Sequence, residues 1–98
     1  MTISKTMNGN CLELAVEGRL DTVTAPDLDA ELSAVYDSID SLIFDMQKLD
    51  YISSAGLRVL LKAQKTMKNK GGMILRNLNS DVREVLDITG FSEIMTIE

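Results

Sequence analysis

Histidine and tryptophan are absent from this 98-residue chain, which also has a single cysteine, a single proline and only 4% aromatic residues. Without histidine it can hold neither a Ser-His-Asp nor a Cys-His catalytic site, and no imidazole is available to a metal ion. Cys11 alone cannot close an internal disulfide or build a thiolate zinc cluster, a usage that fits a reducing compartment. No stretch approaches the ~18–20 apolar residues that a membrane-spanning helix requires. The first ten residues also lack the apolar core of a secretion signal. The expectation is a cytoplasmic protein with no membrane insertion, no metal set and no cofactor.

What is present is an ordinary globular composition, 45% hydrophobic and 26% charged, with a net charge of −5. A chain of this size buries roughly 60–65% of its unfolded surface, enough for one core, so residues 1–98 are read as a single domain. The acidic balance argues against direct binding of nucleic acid, whose phosphates attract Lys and Arg. Charge is unevenly placed. Asp21 to Asp50 holds eight acids and one base, Lys48, whereas Ser54 to Lys70 holds five bases and no acid.

Hydrophobic periodicity divides the chain into alternating elements. Leu12, Leu14 and Val16 alternate with Cys11, Glu13 and Glu17, the pattern of a strand with one polar face, and Asn8-Gly9 marks a hairpin that pairs it with residues 3–7. Pro26, Asp27 and Asp29 open a helix in which Leu28, Leu32, Val35 and Ile39 recur at helical spacing, to about Ser38. Residues 41–45 form an unalternating apolar run, expected to be a central strand covered on both faces. Residues 46–53 are read as a loop. A second helix spans Ser54 to Asn69 and stops at Gly71-Gly72. Residues 73–76 form another strand, Ser80 or Asp81 begins a third helix ending at Gly90, and Ile94 to Ile97 supplies a last short strand. The order is β-β-α-β-α-β-α with that final β. It describes an α/β fold with a mixed sheet of four to five strands and helices mainly on one face.

The segment from Phe44 to Leu61 carries the chemistry. It leads from a buried strand into Ser53 and Ser54 and then into an amphipathic helix, placing a hydroxyl at the helix start, where free N–H groups and the helix dipole favour anions. Ser53, Ser54, Ala55 and Gly56 are small and leave the backbone accessible. From the residues alone, the commoner role of Ser54 is simply to cap the helix. Asp21 is read from the residues alone as a turn residue capping its own backbone. The Arg58, Lys62, Lys65 and Lys68 set lacks interleaved aromatics and is read as a solvated helix face.

Asp45-Met-Gln-Lys-Leu-Asp-Tyr-Ile-Ser-Ser-Ala-Gly-Leu57 resembles the signature of anti-sigma factor antagonists of the STAS (sulphate transporter and anti-sigma antagonist) domain family. Gly18-Arg-Leu-Asp-Thr-Val-Thr-Ala25 is similar to the family's second motif, and both stand in family order and spacing. The resemblance implies a STAS-like fold and a switch protein that is not an enzyme. Its unphosphorylated form would bind an anti-sigma factor that is also a serine kinase, freeing a sigma factor. Phosphorylation of one serine would end that binding, and a serine phosphatase would restore it. By position that serine is Ser54, with Ser53 as the alternative. The chain departs from the family pattern with Ser53 in place of an aspartate before the phosphoserine and Ala55 in place of a hydroxyl residue after it, and Ala55 removes a competing target.

The partner surface is expected on Asp21, Thr22, Thr24, Asp50, Tyr51, Ile52, Ser53, Ser54, Ala55, Gly56 and Arg58. A second reading makes the chain a STAS subunit of another assembly, such as a signalling complex or the ATPase of a lipid transporter, with the serine retained only as a cap. A serine hydrolase is disfavoured, because no Lys stands three residues after Ser53 or Ser54.

Overall fold

The computed structural model describes all of residues 1–98. Strands β1 (Thr2–Asn8) and β2 (Cys11–Leu20) form the expected antiparallel hairpin, pairing Asn8 with Cys11 and Thr2 with Glu17. Helix α1 (Ala25–Ser33) follows, then β3 (Ser41–Asp45), β4 (Leu49–Ile52), α2 (Ser54–Lys68), β5 (Met73–Arg76), α3 (Ser80–Thr89) and β6 (Thr96–Ile97). The sheet runs β1-β2-β3-β5-β6, parallel except for the hairpin, with β4 paired to the far end of β2.

Long β2 positions the site. Its first half pairs with β3 through Cys11–Ser41 to Ala15–Asp45, and its second half pairs with β4 through Gly18–Leu49 and Leu20–Ile52. The register shifts between Gly18 and Arg19, and Gly18 has φ +92°, a conformation that favours glycine. The extra residue at this shift is Asp50 of β4, which has no partner on β2. Leu12, Leu14, Val16, Leu42, Phe44, Met73 and Leu75 are buried on one face of the sheet, while their alternate neighbours stay part-exposed. The helices close the buried face. From α2 it receives Leu57, Val59, Leu60, Ala63 and Met67, each large aliphatic side chain contributing roughly 1.5–3 kcal/mol on burial. The core includes no polar residue.

Four expectations are corrected. The stretch 46–53 is not all loop: Leu49–Ile52 forms β4, giving six strands rather than four to five. Its ends are buried and its middle exposed, because Asp50 is an extra residue between the pairs Gly18–Leu49 and Arg19–Tyr51, so it lacks the alternation that betrays a strand. The first helix ends at Ser33, and Tyr36–Ser38 is a separate 3-10 turn. There the Ser38 hydroxyl donates to the Val35 carbonyl, and Lys70 Nζ donates to the carbonyls of Tyr36 and Ile39. These bonds hold a tight turn although the apolar spacing runs on. Strand β3 is central as expected but covered on one face only, since Ser41, Ile43 and Asp45 are part-exposed. The final strand is confined to Thr96–Ile97, because residues 91–93 form another 3-10 turn.

Candidate functional site

Ser53 caps α2, and Ser54 does not. Ser53 has an extended backbone, its Oγ accepts from the Gly56 N–H at 3.4 Å, and its carbonyl accepts from the Leu57 N–H at 2.9 Å. This corrects the reading of Ser54 as the cap. Ser54 is the first helical residue, exposed, with no capping duty. The Ser53 N–H donates to the Leu20 carbonyl at 2.9 Å, tying the start of α2 to the end of β2.

Gly56 makes this junction possible. A Cβ placed there would lie 2.7 Å from Leu20 Cγ, 3.0 Å from Ile52 Cγ1 and 3.0 Å from the Leu20 carbonyl oxygen. Only glycine lets the first turn of α2 settle so closely onto β2 and β4. Ile52 and Gly56 are buried, which corrects their place in the expected contact surface: they support it from beneath.

The turn after β2 is held by Asp21, whose Oδ1 accepts from the backbone N–H groups of Val23 at 3.0 Å and Thr24 at 3.1 Å. Thr24 Oγ1 accepts from the Asp21 N–H and donates to the Arg19 carbonyl at 2.8 Å. The Thr24 N–H bond, aided by Val23 and by the Arg19 guanidinium, holds the Asp21 carboxyl below its ordinary range. Arg19 approaches Asp21 Oδ2 at 3.6 Å and lies over the Tyr51 ring at 4.2 Å from its centroid. Asp21 caps its own turn.

The structure brings most of the expected residues together. Thr22, Ala55 and Arg58 line one shallow hollow of about 260 Å³ between the starts of α1 and α2, with Ala25, Pro26, Asp29 and Val59. Asp50 and Tyr51 lie in β4 beside Arg19, and both are exposed. Arg19, Asp29 and Val23 are additions that sequence reading missed. Val23 is the most exposed large apolar side chain, at 82%, and Tyr51 is 41% exposed. The signal for Val23 was its position between two threonines in a polar turn. No group of His, Cys, Asp or Glu is arranged as a metal site, and no helix is long and apolar enough to cross a membrane.

An exposed serine at the start of α2, exposed apolar side chains at Val23 and Tyr51, and an exposed cation at Arg58 are the features of this end of the molecule. The STAS domain model matches residues 2–98. BtrV of Bordetella bronchiseptica, a proposed anti-sigma factor antagonist, is 39% identical over 84 residues, which cover 84% of this chain and 72% of that protein. The anti-sigma-B factor antagonist of Bacillus subtilis is 30% identical over 91 residues, covering 92% of this chain and 84% of that protein. Among solved structures, the anti-sigma factor antagonist SpoIIAA in its unphosphorylated form superposes with a TM-score of 0.85 at 20% identity, covering 99% of this chain and 88% of that one. Its phosphorylated form gives 0.78 at 19% identity, over 99% and 91%. The chain belongs to the STAS domain family.

Proposed function

We propose that this protein is an anti-sigma factor antagonist: unphosphorylated, it captures an anti-sigma factor that is also a serine kinase, and phosphorylation of Ser54 releases that partner. It acts by stoichiometric binding and is not an enzyme, and a serine phosphatase resets it. The carrying observation is the division of labour between neighbouring serines, Ser53 capping α2 and Ser54 left exposed at its first turn. The names of its relatives supply the partner class.

The physics fits a switch that leaves the fold alone. A phosphate on Ser54 adds about −1.5 to −2 charges at a helix start, whose N–H groups and dipole tolerate them. A partner packed against a neutral hydroxyl must instead desolvate a dianion, at a cost of several kcal/mol unless it supplies a cation. SpoIIAA has this fold in both its unphosphorylated and phosphorylated forms.

Incubation with the cognate kinase and ATP is expected to add one phosphate, placed on Ser54 by mass spectrometry and absent from Ser54→Ala. Phosphate found on Ser53 or Thr66 instead would refute the assignment.

A further inference from the structure

Helix α2 offers Ser54 a cation at the right distance. Residues at i and i+4 of a helix lie one above the other, with Cβ atoms ~5–6 Å apart. Ser54 and Arg58 stand in this relation, and both are exposed. Arg58 takes part in no ion pair, whereas the neighbouring cations are engaged. Lys62 holds Asp29 at 3.1 Å, Arg19 approaches Asp21 at 3.6 Å, and Lys48 approaches Glu17 at 3.4 Å. Asp29 lines the same hollow as Arg58 but is taken by Lys62.

The start of α3 provides the contrast. Ser80 also opens a helix behind a capping side chain, yet the next residue is Asp81 and the residue at i+4 is Glu84. A phosphate there would meet two like charges, and the cation at i+3, Arg83, is already paired with Asp87 at 3.2 Å.

We propose that Arg58 is the internal counter-ion of a phosphate on Ser54. Its guanidinium leaves the hollow and pairs with phosphate oxygens one turn back. The inference rests on Ser54 as the modified residue and adds how modification alters the docking face. The face changes twice, gaining a dianion at Ser54 and losing a free cation beside Thr22, Pro26 and Val59. A guanidinium suits this role because its fork can engage two phosphate oxygens, where lysine offers a point charge. The other charged groups around the site are Asp29 with Lys62 across the hollow, Asp21 with Arg19 after β2, and Asp50 on β4.

The test uses the full chain with phosphoserine encoded at position 54 during translation, so that no kinase is involved, and follows the phosphate by ³¹P NMR titration. In the wild-type background its second ionisation is expected below the ordinary value of about 6. Arg58→Ala should raise it by about 0.2–0.4 unit, Arg58→Lys by less, and Arg19→Ala by under about 0.1 unit. Phosphoserine encoded at position 80 should titrate above the value found at position 54. Circular dichroism checks that each variant is folded. An unchanged phosphate pKa in Arg58→Ala, or a larger rise in Arg19→Ala, overturns the proposal. Failure of a kinase to modify Ser54 would instead sink the proposed function and leave this result standing.

Discussion

Helices α2 and α3 each begin with an exposed serine directly after a capping side chain, Ser53 before Ser54 and Asn79 before Ser80. At α3 the joint is closed. Asn79 Oδ1 accepts from the Val82 N–H at 2.8 Å, its Nδ2 donates to the Leu49 carbonyl at 2.7 Å, and Asp81 supplies a negative charge to the first turn. At α2 the cap bond is longer, 3.4 Å, the first turn has no acid, and the free cation Arg58 follows at i+4. The same residue type therefore meets opposite surroundings: one helix start is satisfied internally, and the other keeps an unfilled preference for an anion. On the proposed function, what surrounds the hydroxyl separates the two serines.

The comparison is broken most severely at Gly56. Gly56→Ala is expected to cost about 1–3 kcal/mol, because its methyl group must displace Leu20 or lift α2 off β2. For a chain of this size that lowers Tm by roughly 4–8 °C per kcal/mol. An unchanged melting temperature would mean that the start of α2 is looser than the close approach implies.

The two caps should then differ in the order that their geometry gives. Asn79→Ala loses a short cap bond and the tether to Leu49, and chemical denaturation is expected to show a loss of about 1–2 kcal/mol. Ser53→Ala, losing only a long bond, should cost about 0.5 kcal/mol. The reverse order would remove the basis for calling α2 the less satisfied start.

The smallest effect concerns pH. The Asp21 carboxyl titrates below its unfolded value, so its stabilising bonds act fully above that unfolded value and are lost as pH falls through the lower folded one. Asp21→Asn should therefore narrow the stability difference between neutral and acidic solution in thermal melts taken from pH 7 to pH 2. A variant whose acid sensitivity equals the wild type's would show that the turn draws nothing from the charge.

Much of this was legible in the residues. The Asn8-Gly9 hairpin, the stop at Gly71-Gly72 and the segment Asp45 to Leu57 follow from turn chemistry, periodicity and motif, and the structure places Ser54 at the start of α2 as expected. Strand β4 was hidden because it carries an unpaired extra residue, Asp50, that breaks its alternation. The end of α1 was hidden because Lys70, distant in sequence, supplies donors to the 3-10 turn. Which serine caps α2 turns on one backbone conformation at Ser53, and adjacent serines look alike in a sequence. Arg19 and Asp29 were missed because their partners come from pairing and helix packing rather than from neighbouring positions.

The central claim is that a negative charge at Ser54 switches binding without changing the fold, and it is tested most directly by measuring stability and affinity together on Ser54→Asp and Ser80→Asp. Both variants should keep a native circular dichroism spectrum and a Tm within a few degrees of wild type, as expected for a surface change of under ~1 kcal/mol. Ser54→Asp should bind the anti-sigma factor at least about 100-fold more weakly, a loss of roughly 2.7 kcal/mol, while Ser80→Asp changes affinity by less than about threefold. Unchanged affinity in a folded Ser54→Asp variant would contradict the account.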